Sequence, residues 1–257
     1  PGIVLRSNAP DPHKRIGKRT FIHPVVNSFG LFEEEIHPYY GAPQSIYSDE
    51  FNWKDGINGP IGFKLEVNPV TAGIYGNVVG GHGKEMMDAI TQLPYTHSMI
   101  ALLRDGFHDA NQGGEVNLSD DLWPVLDYEI SDYVRDGMKR ALLAMAEIQF
   151  AAGAKATKFA HSQATWKTSF RDARKNLERL EMKKGLLSIS SAHVMGGCAM
   201  GEDKKLCVTD SNGTFRALDN LSIFDGSVFP TSLDVNPQLS IFGFTRKNAL
   251  HLASKLT

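Results

Sequence analysis

The chain of 257 residues has little of what marks several large classes of protein. It contains two cysteines, Cys198 and Cys207, which are too few for a disulfide framework and too far apart for a CxxC metal site. No run of about 18 apolar residues occurs, so the sequence predicts no membrane span, and no signal peptide is visible. We therefore expect two free thiols in a reducing compartment and a cytoplasmic location.

The charge of the chain also excludes a class of partner. The sequence has 27 basic and 29 acidic residues, a net charge of −2, and no run of five or more like charges. Nucleic-acid-binding proteins normally carry a basic patch, so we expect no nucleic-acid partner. A hydrophobic content of 42% is typical of a globular protein with a substantial core.

A dinucleotide-binding fingerprint is missing as well. The segment Gly80-Gly81-His82-Gly83 precedes a predicted helix, but its spacing is not that of GxGxxG, and no matching strand and acidic residue follow. We therefore expect a plain turn at this point rather than a phosphate site. His23, His37, His97 and His108 show no metal-ligand spacing, and ordinary surface or loop roles are expected for them.

The patterns that are present predict an α+β protein. Residues 61–67 alternate apolar and polar, and residues 98–104 form an apolar run, which indicates two strands of an antiparallel sheet. Apolar residues at a 3.6-residue period predict a helix over 131–152. Shorter helices are predicted over 84–93 and 172–183.

The last third of the chain predicts three further elements. Apolar runs over 186–190 and 221–224 indicate two strands. Residues 237–256 read as a helix, with Asn236 as its N-cap and Pro237 in its first turn. Elsewhere, an aromatic-rich segment over 39–53 is expected either to line a substrate pocket or to pack against the sheet.

Two short motifs near the C-terminus carry the clearest chemistry. The first reads SAHVMGGCAMG over 191–201, and the second reads DGSVFPT over 225–231, followed by Asn236-Pro237. Taken alone, His193 could be a structural histidine, Asn236 only a helix cap, and Asp225-Gly226 only a turn at a strand end. Their occurrence together favours a functional interpretation.

These motifs resemble the C-terminal part of the glucose–methanol–choline (GMC) family of FAD-dependent alcohol oxidoreductases. The resemblance implies that His193 is the active-site base and that Asn236 is its partner. The Asn is similar to the choline- and cholesterol-oxidising branch of the family. The resemblance also implies that Asp225 and Gly226 meet the FAD pyrophosphate and ribityl region, and that Asn236-Pro237 lies against the flavin ring.

The same resemblance implies an organisation in three parts. Residues 1–24 would be the tail of an FAD-binding domain with a linker, and residues 25–185 a substrate-binding domain with an antiparallel sheet and helices. Residues 186–257 would add the C-terminal strand and helix of the Rossmann-like FAD domain and carry the catalytic pair. The N-terminal half of that domain is missing from the sequence, and we expect it on the same precursor or on a separate chain.

The implied reaction is the oxidation of a small-molecule alcohol, from CH–OH to a carbonyl. His193 would remove the hydroxyl proton, a hydride would pass to FAD, and Asn236 and the start of the last helix would stabilise negative charge. The alternative is a non-catalytic fragment, or a subunit of a split flavoenzyme, that cannot bind FAD alone. An upstream sequence with GxGxxG would favour the enzyme.

Overall fold

The computed structural model describes residues 1–256, and the chain forms two compact units. Unit 1 comprises residues 1–23, 104–131 and the chain from Ser191 onward, and unit 2 comprises 24–103 and 132–190. The predicted boundaries differ mainly at 104–131, which the sequence groups with the substrate-binding segment. This stretch belongs to unit 1 because its strand over 114–118 pairs with a strand near the N-terminus, and its strand over 124–127 pairs with 114–118. The roles assigned to the segments stay predictions.

Unit 2 is built on a five-stranded antiparallel sheet in the order β3-β4-β5-β2-β8. Its strands are β2 (Val25–Leu31), β3 (Tyr47–Ser48), β4 (Phe63–Glu66), β5 (Thr96–Leu103) and β8 (Ala156–Phe159). The long pairing of β2 with β5, from Val25 opposite Leu102 to Leu31 opposite Thr96, forms the centre of the sheet.

Helices cover both faces of strand β2, which explains why nearly all of it is buried. Phe29 packs edge-on against Tyr75 of helix α2 (Ala72–Val79). On the opposite side of the strand, Ser28 donates a hydrogen bond to Gln149 of helix α4 (Asp132–Ala151). Alternate residues of a strand point to opposite faces. Strand β2 therefore packs an apolar side chain against α2 and makes a side-chain hydrogen bond to α4.

The remaining helices of unit 2 lie close to their predicted positions. Helix α3 (Lys84–Thr91) follows the glycine turn, and a 3-10 turn (Leu93–Tyr95) leads into β5. Helix α4 matches the predicted helix within one residue at each end. Helix α5 (Phe170–Arg179) begins with the hydroxyl of Ser169 accepting from the backbone N–H of Asp172, two residues before the predicted start.

Unit 1 contains a four-stranded antiparallel sheet in the order β7-β6-β1-β9. Its strands are β1 (Lys18–Phe21), β6 (Gly114–Leu118), β7 (Pro124–Asp127) and β9 (Met195–Gly196). The unit also has a short helix α1 (Gly2–Arg6), a 3-10 turn (Gly226–Val228) and helix α6 (Gln238–Leu256). Its core joins both ends of the chain: Val4, Ile16, Cys198, Val208, Phe215, Ile223 and Val228.

Two predicted strands do not form. Over 186–190 the backbone makes separate bonds, from the N–H of Ser188 to the carbonyl of Ala160 and from the N–H of Ser190 to that of Val25. Over 221–224 only an isolated bridge pairs Ser222 with Thr214. The stretch over 186–190 therefore divides its backbone bonds between two segments, whereas residues 221–223 bond to the single segment 213–215. Within residues 1–256, no helix has the length and apolar character needed to cross a membrane.

Candidate active site

The sheet of unit 1 positions the SAHVMGG motif. Strand β9 pairs with β1, with Gly196 opposite Thr20 and Met195 opposite Phe21. Gly196 has a φ of +86°, and a Cβ there would lie 2.2 Å from the carbonyl oxygen of Arg19. This position therefore requires glycine, both for its backbone conformation and for the close approach of β1. His193 precedes β9 by two residues and is half-buried.

His193 makes a hydrogen bond to a second histidine. Its Nδ1 lies 3.0 Å from the Nδ1 of His23, and the two ring centroids are 5.2 Å apart. The register of β1 and β9 explains this meeting, because continuing the Met195–Phe21 pairing by two residues on each strand brings 193 opposite 23. His23 is fully buried, so this bond forms at the inner side of the site.

A buried carboxylate holds the backbone of the segment that carries His23. Asp105 accepts from the backbone N–H of Ile22 at 2.9 Å and from the backbone N–H of His23 at 3.1 Å. His23 has a φ of +49°, a left-handed conformation that histidine adopts more readily than most residues. The paired N–H groups at Asp105 therefore stabilise a turn that the sequence alone would not favour. Ser191 also donates a hydrogen bond to the carbonyl of Ile22.

Asp105 has further polar partners on the same unit. The hydroxyl of Tyr128 donates to its carboxylate at 2.9 Å. Burial nevertheless raises the pKa of Asp105 above its ordinary value, with these hydrogen bonds acting in the opposite direction. Burial, followed by the nearby charge of Asp105, raises the pKa of Tyr128 as well. Asn111 completes the cluster by donating to the carbonyl of Asp105 at 2.6 Å.

The Asp225-Gly226 turn is built into the same unit. The Asp225 carboxylate accepts from the backbone N–H of Ser227 at 2.7 Å and so caps the 3-10 turn. The backbone N–H of Cys198 donates to the carbonyl of Ser227 at 2.9 Å, which ties this turn to the SAHVMGG motif. A Cβ on Gly226 would meet Ile241 of α6 at 3.3 Å and the carbonyl of Val194 at 3.5 Å. The two motifs therefore pack together.

Asn236 and Pro237 lie just before helix α6. The carbonyl of Pro237 accepts a hydrogen bond from the N–H of Ile241 at 2.8 Å. Gln238 is the first helical residue, one position after the predicted start of the helix. Asn236 is exposed and Pro237 is buried.

The sequence prediction for His23 was wrong. An ordinary surface or loop role was expected, but the ring is fully buried and hydrogen-bonded to the candidate base. No local pattern marks this residue, since its partner lies 170 positions away. The register between β1 and β9 would have identified the pair, but a strand as short as β9 is not visible in the sequence. His37, by contrast, is exposed as expected.

Comparison with known protein families gives a match over more than half of the chain. The C-terminal model of the family described as GMC oxidoreductase matches residues 110–245. An uncharacterised GMC-type oxidoreductase of Mycobacterium tuberculosis is 27% identical over 241 residues, covering 94% of this chain and 36% of that protein. The long-chain-alcohol oxidase FAO3 of Arabidopsis thaliana is 23% identical over 273 residues, covering 95% of this chain and 34% of the oxidase.

A solved structure shares the fold at low sequence identity. A formate oxidase of Aspergillus oryzae, solved to study modification of its FAD, superposes with a TM-score of 0.58 at 13% identity, covering 95% of this chain and 48% of that one. The chain thus spans about a third of the length of these curated relatives and about half of the solved chain. The shared architecture is a mixed fold of helices and antiparallel sheets.

Proposed function

The chain belongs to the GMC oxidoreductase family, and on this premise we propose that it supplies the catalytic residues of an FAD-dependent enzyme that oxidises an alcohol to a carbonyl. The observation that carries the proposal is the packing of the His193 motif against the Asp225-Gly226 turn and the start of α6, through Val194, Gly226 and Ile241. Residues with the required chemistry are thereby gathered in one unit.

His193 is proposed as the general base. Imidazole titrates nearest to neutral pH among the side chains, and a positioned base typically accelerates such a step by about 10² to 10⁴-fold. The hydroxyl proton of the alcohol passes to His193 while the O–H bond breaks. The electron pair of the C–H bond leaves with its hydrogen as a hydride, so that the carbonyl forms and the substrate loses two electrons.

FAD is the proposed acceptor of that hydride, and this is the chemistry the cofactor supplies when bound. The residues at the start of α6 fit such a group, because Gln238 and Leu239 are exposed at a helix N-terminus, where backbone N–H groups and the helix dipole favour negative charge. We propose that Asp225, Gly226, Asn236 and Pro237 contact the cofactor, and that Asn236 also stabilises the substrate oxygen, as in the choline- and cholesterol-type branch.

We further propose that an FAD-binding half covers helix α6. Of its 19 residues, only Asn248 is buried within the described chain. Leu239 is 82% exposed and Phe242 is 59% exposed, which is unusual for large apolar side chains on a helix. The complementary half would come from the same longer protein or from a second chain, as the one-third coverage of the curated relatives suggests.

The substrate is proposed to be a primary or secondary alcohol. The similarity of the chain to proteins named long-chain-alcohol oxidases supports this choice. A panel of short- and long-chain primary alcohols, choline and a sterol would distinguish the options.

The first experiment is an absorbance spectrum of the protein with and without added FAD. The complete FAD-loaded enzyme is then mixed anaerobically with each alcohol, and the rate of flavin bleaching is measured. We expect His193→Ala to lower this rate at least about 100-fold while FAD stays bound. His13→Ala, at an exposed histidine of the same unit, is the matched control and should bleach at the parent rate. Near-normal bleaching in His193→Ala would refute the assignment.

A further inference from the structure

We infer that His23 is a positioning residue that fixes the tautomer of His193, an inference that deepens the proposed function and rests on it. The observation that supports this inference is the hydrogen bond of 3.0 Å between the two Nδ1 atoms. His23 lies outside both C-terminal motifs, and its ring reaches His193 only because β1 and β9 pair with Phe21 opposite Met195.

The geometry of this bond restricts where the protons lie. A hydrogen bond between two Nδ1 atoms needs one protonated nitrogen and one with a free lone pair. If His193 is the donor, its Nδ1 carries the hydrogen and its Nε2 keeps a lone pair. If His23 is the donor, the neutral His193 carries its hydrogen on Nε2 and cannot accept a proton there. Only the first arrangement leaves a base on the side of the ring away from His23.

The first arrangement also persists through the reaction. When Nε2 of His193 takes the alcohol proton, the ring becomes an imidazolium whose Nδ1–H still donates to His23. The bond thus strengthens as positive charge develops on its donor, since charge-assisted hydrogen bonds are stronger than neutral ones. His23 needs no change of position or protonation for this step. It acts on the base in the way that a carboxylate acts on the histidine of a catalytic triad.

The surroundings of His23 suit this role because they hold it in place before substrate arrives. Its backbone N–H and that of Ile22 both donate to the buried carboxylate of Asp105. The carbonyl of Ile22 accepts from Ser191, two residues before His193. The left-handed backbone of His23 is the kind of strained conformation that proteins retain at functional positions. Asp105 and Ser191 therefore hold the segment of His23, the acceptor of the bond, in place before substrate binds.

Two variants separate positioning from mere packing. In His23→Asn the amide oxygen stands at the same number of bonds from the backbone as Nδ1, and asparagine also tolerates the left-handed conformation. In His23→Phe the ring remains but the acceptor is lost. We expect His23→Asn to retain most of the flavin-bleaching rate, and His23→Phe to lose about 10- to 100-fold while still binding FAD. Equal rates for His23→Phe and the parent, or equal losses in both variants, would overturn the inference.

A second readout does not depend on catalysis. The protein is labelled with ¹⁵N-histidine, and long-range ¹H–¹⁵N spectra report which ring nitrogen of His193 carries the hydrogen, with the assignment taken from His193→Gln. We expect Nδ1–H at His193 and Nε2–H at His23. The reverse pair of tautomers would overturn the inference even if the enzyme oxidises alcohols. If no alcohol bleaches the flavin but the expected tautomers are found, the proposed function fails and the positioning of His193 stands.

Discussion

The carboxylate of Asp105 accepts a hydrogen bond from the backbone nitrogen of His23, 82 positions earlier in the chain. Asp105 is the second residue of the segment 104–131 of unit 1, and His23 is the last residue of the first segment of that unit. One buried side chain therefore anchors the backbone of the residue that contacts the candidate base. A change at Asp105 should be detected both in stability and in the environment of His193.

Replacing Asp105 with Asn should destabilise the protein in a pH-dependent way. The amide can accept on one oxygen only, so at least one buried donor loses its partner, at a cost of about 1–3 kcal/mol. Burial raises the pKa of Asp105 in the folded protein, so the contribution of this carboxyl to stability is fully present below its unfolded pKa and declines as pH rises through its folded pKa. The difference in unfolding free energy between parent and variant should therefore shrink as pH rises above the ordinary carboxyl pKa of about 4.

Urea unfolding of the parent and of Asp105→Asn at several pH values measures this difference directly. Contributions from all other titrating groups cancel in the comparison. A difference that grows with rising pH would mean that the folded protein favours the ionised carboxylate, and would contradict a raised pKa at Asp105.

The Tyr128 hydroxyl makes a separate, smaller contribution. It donates to Asp105 at 2.9 Å and accepts from Asn111 at 3.1 Å, and burial raises its pKa, so it remains a neutral donor. Tyr128→Phe should lower the free energy of unfolding by about 1 kcal/mol. Tyr40→Phe is the control, since Tyr40 is 88% exposed and should tolerate the change. Equal urea midpoints for the two variants would show that the Tyr128 bond contributes nothing.

Gly106 should not tolerate a side chain. A Cβ at this position would lie 1.7 Å from the hydroxyl of Thr231, which accepts from the N–H of Phe107, and 2.9 Å from the backbone nitrogen of Ser232. Because the backbone at Ser232 or at Gly106 itself must move to make room, Gly106→Ala should destabilise the protein by about 1–3 kcal/mol. Gly73→Ala is the matched control, since nothing lies within 4 Å of its Cβ, and there we expect a gain of about 0.5–1 kcal/mol from helix propensity. Thermal unfolding of both variants provides the comparison.

Gly137 permits α4 to approach the sheet of unit 2. A Cβ there would lie 1.9 Å from Cγ2 of Ile61 and 2.9 Å from Cδ2 of Leu103. Gly137→Ala should therefore destabilise by about 1–3 kcal/mol, although alanine is the better helix former. Ile61→Ala removes the clashing methyl, so the double variant should be more stable than the sum of the single effects predicts, with a coupling of about 0.5–3 kcal/mol. Strict additivity in urea unfolding would argue against this contact.

The elements that the sequence predicted well are those set by local patterns. Helix α4 shows its apolar period over its whole length, so its bounds could be predicted within a residue. The family could also be predicted, because the motif around His193 and the turn at Asp225 are each a continuous stretch of sequence. The match over 110–245 confirmed this prediction. The finer assignment to a His–Asn branch stays a prediction.

The relationships that could not be predicted depend on pairing between distant segments. The His23–His193 bond follows from the register of two strands, one of which has only two residues. The extended stretch over 186–190 has the apolar pattern of a strand, but its backbone bonds go to Ala160 and Val25 in turn. Local hydrophobicity indicates that a segment is extended and buried, but it does not specify how many neighbours share its hydrogen bonds.

The chain crosses between its two units four times, after residues 23, 103, 131 and 190. Neither unit is therefore encoded by a contiguous stretch of the gene. A stop codon or a cloning boundary placed anywhere between residues 24 and 190 removes part of both units. Fragment expression cannot separate the histidine pair from unit 2 by simple truncation. A minimal version of unit 1 would instead need three segments rejoined by designed linkers, with the connections chosen so that β1 can still reach β9.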